Sequence, residues 1–144
     1  MLVKEVMSRT VKTAGLKMPI KEAAGQMIGS RIGSIIVVDN AKAMRGIVTE
    51  SDILKFVSLG KDVSKGTLAD IMTKDVFYVR PNDSVEDAAE IMTSKKVKKL
   101  PVIDGNKLVG IITASDIVAF EPKFMEMIGY LLLSNKQQRV YAAG

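Results

Sequence analysis

The sequence predicts an α+β fold made of two tandem β-α-β-β-α repeats related by approximate two-fold symmetry. Three observations predict it. The phrase "GIVTESD" at 46–52 returns as "GIITASD" at 110–116. Apolar residues recur at helical spacing in matching places, Ile20, Ala23, Ala24 and Met27 against Val85, Ala88, Ala89 and Met92. Two pairs of β-branched runs follow those stripes.

The duplication extends well beyond the repeated phrase. "VMSRTVKT" (6–13) aligns with "IMTKDVFY" (71–78) at an offset of 65, which also puts Ile32 on Val97 and Asp39 on Asp104. One residue is lost between Asp39 and Gly46, where a hairpin tolerates a length change. At offset 64, Gly46, Thr49, Ser51 and Asp52 then fall on Gly110, Thr113, Ser115 and Asp116.

Each copy opens with an extended piece, "TVKT" (10–13) and "DVFYV" (75–79). A helix follows; in the second copy Ser84 and Asp87 resemble a capping box just after Pro81. "SIIVVD" (34–39) and "LPVID" (100–104) are strands. Turns at "NAKAM" and "GNK" return the chain along "GIV" and "LVGII". A second helix starts at "TESDILKFV" (49–57) and "TASDIVAF" (113–120). The first repeat is read as 1–57, a linker as 58–67, the second repeat as 68–120 and a C-terminal helical extension as 121–144. A copy of about 50 residues buries little core alone, so two copies are expected to pack together with two equivalent clefts between them.

Composition narrows the function. The 144 residues include 47% hydrophobic and 26% charged residues and no run long enough to span a membrane. No signal peptide is legible in "MLVKEVMSRT", and a cytoplasmic location is expected. There is no Cys and no His, which removes thiol chemistry, the commonest general base and the commonest transition-metal ligand. No catalytic residue, metal ligand or resident cofactor is read from the sequence, and the chain is read as not an enzyme. The net charge of +5 favours anionic partners such as phosphates, nucleotides or nucleic acid.

The repeated phrase has two physical readings. T-x-x-D at a helix start is a capping box, its carboxylate favoured by the helix dipole. The same corner can also receive a nucleotide. Free N–H groups at the helix start and the hydroxyl of Thr49 or Thr113 would meet a phosphate. Asp52 or Asp116 would accept from ribose hydroxyls, and Gly46 or Gly110 would leave room for close backbone approach.

The pattern G-h-h-T-x-S-D after a hairpin, with h-P-V-h-D before it, resembles the cystathionine-β-synthase-type (CBS) domain. Two tandem copies resemble a CBS pair, or Bateman module, as in the small stand-alone CBS-pair proteins of archaea and bacteria. The resemblance covers residues 1 to about 120. It implies binding of an adenosine-containing regulatory ligand (AMP, ADP, ATP, S-adenosylmethionine or NAD) in the clefts. The motif residues Thr49, Ser51, Asp52, Thr113, Ser115 and Asp116 would carry it. By the same resemblance Ile32, Gly33, Ser34, Val97, Lys98 and Lys99 would contact the ligand. Thr10, Val11, Asp75 and Val76 would read adenine through their backbone. It also implies a homodimer and a separate effector protein.

The chain departs from the pattern at Ile36, which stands where Pro101 stands in the second copy. "KKVKK" (95–99) faces "SRIGS" (30–34), so the two sites are chemically unequal, and Lys98 or Lys99 would hold phosphates unless the run is a solvated face. In the tail Pro122 suits a first helical turn, and Phe124, Met127, Ile128, Leu131 and Leu132 form an apolar stripe expected to cap the module or a second subunit. The alternative is nucleic-acid binding, weakened by a low aromatic content, or a purely structural, oligomerising role; a membrane role is not expected.

Overall fold

The computed structural model describes residues 1–133. In chain order its elements are α1 (Val3–Val6), β1 (Thr13–Gly15), α2 (Ile20–Ser30), β2 (Ser34–Val38), β3 (Met44–Thr49), α3 (Glu50–Ser58), α4 (Leu68–Ile71), α5 (Val85–Lys95), β4 (Lys99–Asp104), β5 (Lys107–Thr113) and α6 (Ala114–Phe120). A 3-10 turn at Pro122–Phe124, with Pro122 in its first positions, leads into helical residues 125–133. The mixed α and β content agrees with the expected class, and the second half of each repeat is the expected hairpin followed by a helix.

The chain forms two compact units. One is Val11–Val76; the other joins Met1–Thr10 to the chain from Phe77 onward. In the first unit β1 runs parallel to β2, and β2 pairs antiparallel with β3. Its core is Ala14, Ile20, Ala23, Met27, Ile35, Val37, Val48 and Leu68. In the second unit β4 pairs with β5, and the strand equivalent to β1 is reduced to one parallel bridge, Val79 with Val102. Its core includes Val85, Ala88, Ala89, Met92, Leu100, Val102, Ile112 and Ile117.

The duplication is legible in the register. Ala14 pairs with Val37 as Val79 pairs with Val102, and each hairpin bulges at the equivalent step, Val37/Val38 and Val102/Ile103. Both long helices end on a residue in the left-handed region, Arg31 (φ 54°) and Lys96 (φ 55°), with a 6→1 bond from Ile32 N to Met27 O and from Val97 N to Met92 O. The Ser84 cap forms by half: its Oγ accepts from Asp87 N at 3.0 Å, without the reciprocal bond.

The units do not follow the sequence repeats. The leading segment of each repeat packs in the unit built on the other repeat. Val3 N donates to Asp83 O (2.8 Å) and Lys4 N to Pro81 O (3.0 Å), and Ser8 and Ile111 exchange backbone bonds. The counterparts sit 65 residues on. Leu68 N donates to Met18 O (3.0 Å) and Ala69 N to Leu16 O (3.1 Å), and Thr73 and Ile47 exchange bonds. Val3 and Val6 are buried with the second repeat's core, and Leu68 with the first's.

Residues 58–67 are tied to the first unit, whereas the sequence read them as a linker. Ile20 N donates to Gly66 O and Lys21 N to Val63 O. The repeated glycine also has a different use from close ligand approach. A Cβ on Gly46 would lie 2.7 Å from Thr73 O and 2.9 Å from Met72 Sδ. On Gly110 it would lie 2.7 Å from Met7 Sδ and 2.8 Å from Ser8 O. The space a side chain would fill is taken by the exchanged segment.

The second unit has one addition. Ile128 is fully buried in its core, with Phe124, Leu131 and Leu132 packed against it, while Met127 stays part-exposed. The proposed extension beyond residue 133 lies outside the described residues. No such segment joins the first unit's core among the described residues, and α3 buries none of its residues. There Ile28 is 80%, Leu54 67% and Leu59 70% exposed. Among the described residues no helix is long and apolar enough to cross a membrane.

Candidate functional site

Each repeated phrase lies on a strand-to-helix corner. Thr49 ends β3 and caps α3; Thr113 ends β5 and caps α6. Both caps have extended backbone, so the hydroxyl can turn back to the first helical turn. At the first corner Asp52 Oδ2 accepts from Thr49 N (2.8 Å) and Thr49 Oγ1 (3.0 Å), and Asp52 N donates to Thr49 Oγ1 (3.3 Å). At the second, Asp116 N donates to Thr113 Oγ1 (3.1 Å) and Thr113 N to Asp116 Oδ2 (3.3 Å). The capping-box reading is therefore realised twice. It is also realised a third time, where Asp70 Oδ2 accepts from Thr67 N (2.8 Å) and Thr67 Oγ1 (3.2 Å) ahead of α4. A Thr-x-x-Asp corner by itself does not mark a ligand.

Both repeated corners have a strand beside them. The third has a similar neighbour, since Thr67 bridges to Pro19 and Leu68 N donates to Met18 O (3.0 Å), but its second helical N–H is spent, Ala69 N donating to Leu16 O (3.1 Å). Ser34 pairs with Thr49 and Lys99 with Thr113. Glu50 N donates to Gly33 O (3.1 Å), and Ala114 N to Lys98 O (2.8 Å). Ile32–Ser34 is thus held against Thr49–Asp52, and Val97–Lys99 against Thr113–Asp116. The same bonds narrow the expected anion site. The first helical N–H is spent on the residue just before the strand and the third on the Thr hydroxyl. In the first turn Ser51 and Ser115 keep N–H groups without a partner among the described residues, and both residues are exposed. Each Asp uses only Oδ2 in the cap, so Oδ1 can accept from a ligand hydroxyl.

The corners differ in one bond. Thr49 Oγ1 donates to Asp52, whereas Thr113 Oγ1 only accepts within the described residues, which leaves its proton for a ligand oxygen. The remaining expected residues sit where the chain passes between units. Thr10 belongs with the second repeat's unit, and Val11, Asp75 and Val76 with the first's. Thr10 N donates to Ser8 Oγ (3.3 Å) and Val76 N to Lys74 O (3.1 Å); among the described residues no hydrogen bond links any of the four to the corners.

The sequence reading missed a groove of about 790 Å³ in the first unit. Asp52 lines it, and Lys55, Phe56 and Leu59 continue along the same face of α3 toward Lys61 and Lys65. Helical spacing from Asp52 was the available signal. Asp62, in the same groove, is held below its ordinary value of 3.8 by the Ser64 hydroxyl and backbone N–H. A second groove of about 410 Å³ is lined by Ile28, Arg31, Ile32, Ile53 and Leu54. Among the described residues no group of three acidic side chains is placed to hold a metal ion.

A strand hairpin followed by a helix, with a capped corner between them on each copy, defines a tandem-repeat α+β architecture. The chain belongs to the CBS-domain family: the CBS domain model matches it twice, over residues 3–59 and 68–123. It is 31% identical over 96% of its length to the CBS domain-containing protein YhcV of Bacillus subtilis, of which it covers 98%. It is 36% identical over 88% of its length to the uncharacterized protein MK0525 of Methanopyrus kandleri, of which it spans 65%. Among solved structures, the CBS domain pair of protein MJ0100, in complex with 5′-methylthioadenosine and S-adenosyl-L-methionine, superposes with a TM-score of 0.73. The identity is 31%, over 83% of this chain and 98% of that one.

Proposed function

We propose that this chain is a non-catalytic regulatory module that binds an adenosine-containing ligand at the corners Thr49–Asp52 and Thr113–Asp116. The observation that carries the reading is the duplicated corner itself. A carboxylate with one oxygen to spare, a helix N–H and a neighbouring strand meet in the same way twice. The adenosine ligands of the MJ0100 pair support the ligand class. The second corner is the stronger site, because Thr113 keeps its proton and Lys98 and Lys99 add charge beside it. These lysines favour AMP, ADP or ATP over S-adenosylmethionine. Thr10, Val11, Asp75 and Val76 are read as backbone contacts to adenine. A ligand that binds one arrangement of the module better shifts the population, and a separate effector protein reads that shift. The exposed face of α2 and α3 supports self-association into a homodimer, and the chain is read as working in the cytoplasm.

Calorimetric titration with AMP, ATP and S-adenosylmethionine tests the reading. Asp116→Asn is expected to weaken the tighter site by about 1.5–3 kcal/mol, roughly ten- to a hundredfold, the range for hydrogen bonds to a charged group. Thr67→Ala is the control. It removes a similar cap at a cost of about 1 kcal/mol in stability and is expected to leave binding unchanged. No heat from any of the three ligands with folded protein, or equal losses from Thr67→Ala and Asp116→Asn, would refute the proposal.

A further inference from the structure

The repeat offers an internal comparison: where the two copies differ, the fold does not demand the difference. At the 65-residue offset Phe77 stands where the first copy has Lys12, Tyr78 where it has Thr13, and Arg80 where it has Gly15. Lys95 and Lys96 stand where it has Ser30 and Arg31. The second copy therefore has two aromatic rings that the first lacks, and it gains Arg80 and Lys95, loses the charge of Lys12 and keeps that of Arg31 as Lys96, a net gain of one cation.

The structure brings these gains together in one unit. Lys95 Nζ lies 5.4 Å from the centre of the Phe77 ring, and Arg80 Cζ lies 5.7 Å from that of Tyr78. Both rings remain exposed, Phe77 by 47% and Tyr78 by 44%, although Val79 beside them is buried. Lys96 closes the end of α5 as an exposed residue in the left-handed region. The acids of the stretch are Asp75, Asp83, Glu86, Asp87 and Glu90. Asp83 is engaged by Arg80 N (2.8 Å), and the others are exposed.

Adjacent exposed rings with cations against them are what a single-stranded nucleic acid needs: aromatic faces for unstacked bases and positive charge for the phosphates. A duplex hides its base faces, and an acidic peptide has no use for two rings. The geometry points to a binding surface for single-stranded nucleic acid at Phe77, Tyr78, Arg80, Lys95 and Lys96, residues that take no part in the capped corners.

The test is fluorescence anisotropy of labelled oligouridylate and oligothymidylate with the full chain. Both are expected to bind at low salt, with an affinity that falls as salt rises, by about 0.7 in log–log slope per neutralised phosphate. The decisive variant is Phe77→Lys, the first copy's own residue. It adds a charge but removes a ring, and binding is expected to weaken about tenfold, within the range for loss of one base stack. Lys95→Ser is expected to lower the salt slope by about 0.7 without changing the melting temperature. Failure of both oligonucleotides to bind, unchanged or tighter binding by Phe77→Lys, or equally effective displacement by polyglutamate would overturn the surface.

Discussion

Glycines of one chain can carry opposite instructions. Gly25 lies within α2, and a Cβ there would meet nothing within 4 Å. Gly25→Ala is therefore expected to stabilise the protein by about 0.5–1 kcal/mol, because alanine loses less backbone freedom in a helix. Gly46 is spoken for by Thr73 O and Met72, and Gly46→Ala is expected to destabilise by about 1–3 kcal/mol through overpacking. Urea denaturation of the two variants checks both signs, and two shifts in the same direction would contradict the packing described. The sequence could show that a glycine recurs at 46 and 110. It could not show that the backbone approaching it belongs to a segment more than 25 residues away rather than to a ligand.

At the scale of elements, legibility followed length and periodicity. The helices α2 and α5 carry an apolar face over three turns, and the hairpins carry β-branched runs, so both were visible in the residues. The four-residue helices α1 and α4 were not, because one turn is too short to show a period. They form through tertiary burial of Val3 and Leu68 and through their caps. The corners were legible because they are written twice, but their chemistry was only half legible, since "TLAD" (67–70) builds the same box with its second helical N–H already spent on Leu16 O. The helix α3 leads to its own prediction. Its apolar Leu54 and Val57 are exposed, whereas α6 buries Ala114 and Ile117 in a core that also takes Ile128. The first repeat thus lacks the cover that the tail helps to give the second, and a second copy of the chain supplies it in the proposed homodimer. Sedimentation velocity should show the wild type as a dimer and Leu54→Glu as a smaller species. A monomeric wild type, or a variant that still sediments as a dimer, would remove α3 from the interface.

At the scale of the whole molecule, the reciprocal exchange of leading segments separates the chain's sequence periodicity from its mechanics. By sequence, residues 3–59 are one CBS domain. By packing, Met1–Thr10 works for the other. Deleting residues 1–10 is expected to remove two buried valines from the second unit's core, at roughly 3–5 kcal/mol together, a large share of an ordinary domain's stability. The damage has an address. Ile111 N–H loses the Ser8 carbonyl (2.9 Å), while Ile47 N–H keeps that of Thr73 (3.0 Å). Hydrogen exchange of the deletion variant should therefore accelerate at Ile111 and its neighbours in β5 and stay slow at Ile47 in β3. If the first repeat's own amides were the ones to lose protection, the segment would serve the repeat it belongs to in sequence, and the exchange would be disproved. If protection falls only in the second unit, the second repeat's stability depends on a segment that the sequence assigns to the first. A ligand at one repeat's corner, as proposed, would then act on a unit whose leading segment is written into the other repeat, a covalent route for coupling the two copies.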